Sequence, residues 1–147
     1  MIEIRNLGMR LTAGGHAVTI LDDITAEIPE KQMVAIVGPS GSGKSTLLGL
    51  IAGLDKPTSG SILLDGVDIT TLQESQMARY RCRKIGYIFQ SFHLIPTLTA
   101  LENVAVPLEL QGDAQAPARA SELLAAVGLQ ERQTHYPVQL SGGEQQR

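Results

Sequence analysis

Apolar and polar positions alternate at the start of the chain. Ile2 and Ile4 sit against Glu3 and Arg5, the period of two that predicts a strand. Gly14 and Gly15 signal a turn, and Leu21, Ile24, Ala26 and Ile28 predict a second, half-buried strand ended by Pro29. Residues 33–37, Met-Val-Ala-Ile-Val, form an unbroken β-rich apolar run, as in a strand buried on both faces of a sheet. A glycine-rich stretch, residues 38–43, follows, and residues 45–52 then carry helical periodicity with Gly53 as the stop. Residues 57–60 read as loop, and 62–64 as a short strand before the turn pair Asp65 and Gly66. Residues 72–84 are polar with apolar positions at Leu72, Met77 and Tyr80, which predicts a surface helix. Residues 85–89 predict another apolar strand.

From about Gln90 the pattern becomes helical. It predicts a helix over 100–110, interrupted by Pro107, and another over 117–127, stopped by Gly128. A polar, alanine-rich linker at 111–117 joins them. No internal repeat is visible. A strand-rich front half thus gives way to a helical back half near Gln90.

Composition narrows the class. Of 147 residues, 43% are hydrophobic and 18% charged, a globular balance in one domain's length. A net charge of -3, from 12 basic and 15 acidic residues, gives no electrostatic case for nucleic acid or an anionic membrane surface. Aromatic residues, at 3%, leave little for base stacking, so no nucleic-acid partner is expected. Cys82 is the single cysteine, which excludes an intrachain disulfide and fits a reducing compartment. The first residues show no signal-peptide pattern, and the longest apolar run, 47–54, is too short to span a bilayer. A membrane role would have to run through a partner.

Gly38, Pro39, Ser40, Gly41, Ser42, Gly43, Lys44, Ser45 and Thr46 match the pattern glycine, four residues, glycine, lysine, serine or threonine. Glycines let a backbone curl and turn its N–H groups inward toward anionic oxygens. The following helix offers its amides and positive dipole end to the same phosphates. Lys44 can reach β- and γ-phosphates as a mobile charge, and Ser45 can offer a hydroxyl to magnesium. A plain strand–turn–helix with glycines for a tight turn would show the same letters. The position, after an apolar strand and before a helix, favours phosphate binding. The loop alone leaves kinases, GTPases and transport ATPases open.

GPSGSGKSTLL is followed by IAGLDKPTSGSILLDG at 51–66, IGYIFQSFHLIPTLTALENV at 85–104 and LSGGEQQR at 140–147. In this combination and order the sequence resembles the ATP-binding subunits of ABC transporters over essentially its whole length. The stretch FQSFHLIPTLTALENVAVPLEL looks most like the branch serving lipoprotein release and macrolide export. The resemblance implies an α/β fold: a P-loop NTPase core with an N-terminal β-rich part and a helical subdomain, incomplete at the C-terminus. Residues 1–89 would form the nucleotide-binding core. Residues 90–147 would supply the Q-loop, the helical subdomain and the start of the signature helix. ATP and magnesium are the implied cofactors. Gln90 would meet magnesium and the attacking water, beside Ser45 as the other magnesium residue. With Lys44 it completes the implied catalytic pair.

Ser141, Gly142 and Gly143 precede a helix N-terminus, a second anion-binding end that an ordinary serine cap would also produce. In the family this signature grips the γ-phosphate held by the loop of a second ATP-binding subunit, packed head to tail. Transmembrane permease subunits are the other implied partners, with the chain peripheral on the cytoplasmic side of the inner membrane. Two departures stand out. Glu144 occupies a position where many relatives have glutamine, and residues 9–15 lack the usual adenine-stacking aromatic, leaving Leu11 as an apolar contact.

No Asp–Glu pair follows an apolar run anywhere in the chain, and His16, His93 and His135 lie before the signature without metal-ligand spacing. On the resemblance, the chain is expected to be the first part of a longer ATPase and a poor folder alone. A soluble, non-transport ABC ATPase is a competing reading that the short single cassette disfavours. A small-molecule kinase would leave LSGGEQQR without a job. Nucleotide binding without hydrolysis is the remaining reading for the chain as it stands.

Overall fold

The computed structural model describes residues 1–147, the side chain of Ala13 excepted. The chain forms two compact units, Met1–Tyr87 and Ile88–Arg147. The first is built on an antiparallel sheet of β1 (Ile2–Ala13), β2 (His16–Ile28), β3 (Ser59–Leu64) and β4 (Val67–Asp68), in the order β2-β1-β3-β4. Gly14 and Gly15 close the long first hairpin with φ of 59° and 82°, which pairs Ala13 with His16.

The pairing of β1 shifts register between Ile4 and Leu7. The cause is Asn6, at φ 48°. Its amide donates to Thr25 Oγ1 at 3.0 Å and its Nδ2 to Asp23 Oδ1 at 2.8 Å. This bulge lets Ile4 and Leu7, three residues apart, both bury, where a regular strand would send them to opposite faces.

Ile4, Leu7, Leu21, Ile62 and Leu64 of the sheet form one apolar cluster with Leu50 of α1 (Lys44–Ile51), Ile69, and Met77 of α2 (Glu74–Lys84). Gly53 stops α1 as the sequence predicts. Its φ is 63°, its amide donates to the Leu50 carbonyl at 3.0 Å, and the Leu54 amide reaches the Gly49 carbonyl at 2.9 Å. On α2 the Tyr80 hydroxyl donates to the Leu64 carbonyl at 2.9 Å, and Arg81 donates to the Gly53 carbonyl and to Glu74.

Two predicted strands do not form. Residues 33–37 and 85–89 run outside any ladder, with Met33 101%, Val37 87% and Ile88 91% exposed. Apolar, β-rich composition yields a strand only where a neighbour completes the ladder, and no strand among the described residues pairs with either run.

The second unit holds α3 (Ala100–Leu110), α4 (Ala116–Ala126) and α5 (Gly142–Gln146). Thr99 and Glu102 form a capping box on α3, and the Asn103 side chain ties the preceding loop by donating to the carbonyls of Ile95, Leu98 and Thr99. The predicted interruption at Pro107 is also corrected. The helix runs through it to Leu110, because Pro107 lies on the exposed face near the C-terminal end, where it removes a single amide donor. Ala100, Leu124, Leu129 and Leu140 form the core, with Leu101 and Val104 packed on it. The Ala100 amide donates to the His135 carbonyl at 2.8 Å, which fastens the segment before α5 to the start of α3. Among the described residues, no helix is long and apolar enough to cross a membrane.

Candidate functional site

The loop preceding α1 is pinned at both ends. The Ser42 amide donates to the Pro39 carbonyl at 3.3 Å, and the Leu47 amide makes the first bond of α1, to the Gly43 carbonyl at 2.8 Å. Between them the amides of Gly43, Lys44, Ser45 and Thr46 find no backbone acceptor among the described residues. They form a row of donors at the positive end of α1, whose first turn carries no acidic residue. Gly43 is required twice over. Its φ is 85°, and a Cβ there would stand 2.8 Å from Leu21 Cδ2 and 3.0 Å from the Ile20 carbonyl oxygen. The loop is thereby pressed against β2.

Lys44 Nζ donates to the carbonyls of Gly38 at 2.9 Å and Pro39 at 2.6 Å, and lies 3.4 Å from Ser42 Oγ. The ammonium is curled over the mouth of its own loop. Pro39, Ser40, Gly41 and Ser45 are exposed, and among the described residues the Ser45 hydroxyl has no partner. All of the residues from Gly38 to Thr46 belong to the first unit.

Gln90, Ser141, Gly142 and Gly143 belong to the second unit. Gln90 is exposed on a bend next to Phe89, whose ring meets His93 edge to face at a centroid distance of 4.6 Å. Ser141 caps α5. Its hydroxyl donates to Glu144 Oε2 at 2.7 Å and accepts from the Glu144 amide at 3.3 Å, while the Ser141 amide donates to the same carboxylate at 2.8 Å. Arg132 Nε holds the other carboxylate oxygen at 2.9 Å. The Ser141 amide, then Arg132 and the Ser141 hydroxyl, bring the Glu144 pKa down to about 2. Gln145 Nε2 fastens α5 by donating to the carbonyls of Pro137 and Leu140, both at 2.9 Å.

Gly142 and Gly143 are unlike Gly43. Neither has a positive φ, and a Cβ on either would meet no atom within 4 Å. Nothing inside the chain requires glycine there, although glycine in a helix is less stable than alanine by about 0.5–1 kcal/mol.

The Glu144 box and its Arg132 clamp were missed in the sequence, where Glu144 reads only as a departure from glutamine. The signal was present, since Ser141 followed three residues later by Glu144 is the capping-box spacing. Arg132 had no such signal; its place depends on how the loop before α5 folds back. Among the described residues, no three His, Cys, Asp or Glu side chains converge as a metal site.

A glycine-rich loop with a lysine and open amides at a helix start, on a mixed sheet-and-helix scaffold, defines an α/β protein of the phosphate-binding-loop class. The sequence model of the family described as ABC transporter matches residues 21–147, and the chain belongs to that family. An uncharacterized ABC transporter ATP-binding protein of Mycobacterium tuberculosis is 46% identical over 148 residues, covering 99% of this chain and 45% of that protein. The macrolide export ATP-binding/permease protein MacB of Vibrio parahaemolyticus is also 46% identical, over 100% of this chain and 23% of its own length. The ATP-binding cassette MJ0796, solved as a dimer in a post-hydrolysis state bound to ADP and Pi, superposes with a TM-score of 0.91 at 39% identity. That match covers 99% of this chain and 65% of the cassette. The chain therefore spans less than half the length of these sequence relatives.

Proposed function

We propose that the chain is the nucleotide-binding part of an ABC transporter ATP-binding subunit, coupling ATP binding and hydrolysis to the motion of membrane subunits. The observation that carries this reading is the loop from Gly38 to Thr46, with its row of open amides and its lysine at the start of α1. In this reading residues 1–89 are the nucleotide core, and 90–147 bring the coupling glutamine, the helical part and the signature.

The backbone amides of residues 43–46 bind the phosphate oxygens. Lys44 exchanges its carbonyl acceptors for β- and γ-phosphate oxygens and neutralises charge that builds there during transfer. Ser45 offers an exposed hydroxyl oxygen, the donor type a hard cation takes, so it would be the residue of this loop to hold magnesium. Held by Ser45, magnesium would supply positive charge that stabilises the phosphate oxygens during transfer. Gln90 orients the attacking water. Ser141, Gly142 and Gly143 contact the nucleotide of a second subunit, which supplies the reason for glycine that the chain itself lacks. Permease subunits are the membrane partners, and the chain sits peripherally on the cytoplasmic side of the inner membrane. MacB, an ATP-binding/permease protein, supports the export-type branch.

The test is Lys44→Ala in a full-length subunit carrying this sequence. Turnover of ATP should fall by about 10²-fold or more. Hydrolysis at the unsubstituted rate would overturn the assignment.

A further inference from the structure

One face of α2 has no role in the site above. Gln76, Arg79, Tyr80, Arg83 and Lys84 recur at helical spacing and, with Val67 and Leu72, line an open groove of about 360 Å³. The groove has an accessible apolar strip: Leu72 and Tyr80 are half-buried, and Val67 is 40% exposed. Its rim is cationic. Arg81, the other arginine of this helix, is held by Glu74 and the Gly53 carbonyl. Arg79, Arg83 and Lys84 have neither a hydrogen bond nor an ion pair among the described residues. Asp65, which interacts with Lys84 through space, is taken by the N-terminal ammonium at 2.7 Å.

We propose that this groove docks an acidic segment of a partner protein, one that alternates carboxylates with aliphatic side chains. The charge fixes the sign of the occupant. Three unpaired cations gather on one helix of a chain whose net charge is -3, so this face attracts an acidic segment although the chain as a whole is negative. The extent of the patch selects a peptide. A lipid surface meets a broad area of a chain whose net charge of -3 opposes it, whereas a short peptide meets only this face and lays an aliphatic side chain on Val67 and Leu72. Arginine forks pair with carboxylates at the rim. Polyanionic nucleic acid would find three cations and no exposed aromatic platform, since the Tyr80 ring is half-buried and its hydroxyl is bonded to Leu64.

The experiment uses a full-length subunit carrying this sequence and a short fluorescein-labelled peptide of alternating glutamate and leucine, read by fluorescence anisotropy. Heparin and phosphatidylglycerol vesicles serve as the competing polyanions. Binding should saturate and weaken with added salt. It should drop about tenfold in the Arg79→Glu/Arg83→Glu double variant. Arg10→Glu, a charge reversal on exposed β1, should leave it unchanged. Hydrogen exchange on the unsubstituted chain should show peptide protection confined to residues 67–84, a readout that does not depend on the variants folding. Absence of saturable binding, an equal loss with Arg10→Glu, protection elsewhere, or tighter binding of heparin or vesicles than of the peptide would each overturn the proposal.

Discussion

Glu144 shows how much one residue can organise at the start of a helix. At the third position of α5 a carboxylate opposes any anion that approaches the helix start, yet here it holds the Ser141 amide and hydroxyl and is itself held by Arg132. Its pKa, near 2 when folded against 4.5 ordinarily, makes the cap sensitive to pH. Because the folded value is depressed, the cap's contribution is fully present above about pH 4.5 and is lost as pH falls toward 2. The protection of the Glu144 amide, measured against its intrinsic exchange rate at each pH, should fall across that window. Glu144→Gln, which keeps the box without the charge, should remove that pH dependence while leaving Ser141 capped. A carboxyl titrating near 4.5 by NMR in the unsubstituted chain would contradict the clamp.

At the scale of elements, α5 combines strong fastening with unexplained glycines. Gln145 and the Ser141 box fix the helix, while Gly142 and Gly143 face open space. Gly142→Ala and Gly143→Ala should therefore leave the unfolding midpoint unchanged or raise it, each adding at most about 1 kcal/mol of stability. In a full-length subunit the same changes should weaken ATP-dependent association. A clear fall in the midpoint would mean that the glycines serve the chain's own fold. The elements readable from sequence were those whose signals are local. Gly14 and Gly15 placed the first hairpin, Gly53 the end of α1, and Asp65–Gly66 the turn into β4. Residues 33–37 and 85–89 misled because a buried strand is defined by its neighbours, and composition does not report whether neighbours are present. Asn6 escaped notice because its bulge depends on Asp23 and Thr25, distant in sequence. In the candidate site, the loop from Gly38 to Thr46 was legible from spacing alone, since one short segment carries the whole device. The curl of Lys44 onto its own carbonyls was not, because it is a tertiary choice of rotamer.

At the scale of the whole molecule, the loop from Gly38 to Thr46 and the segment from Ser141 to Gly143 lie in separate compact units of a chain that matches less than half of its sequence relatives' length. The 147 residues contain no Asp–Glu pair, and on the proposed reading such a pair would take a proton from the attacking water. The chain by itself should bind ATP weakly and release no phosphate above background. Magnesium-dependent, saturable release that vanishes in Lys44→Ala would show that the catalytic groups lie within it. The central claim is that one surface of this protein holds a nucleotide and another engages the nucleotide of a second copy. Light scattering on a full-length subunit with Ser141→Arg, in magnesium and ATP, tests it most directly. The account predicts that the variant still binds ATP but stays monomeric where the unsubstituted subunit dimerises, and normal ATP-dependent dimers of the variant would contradict it.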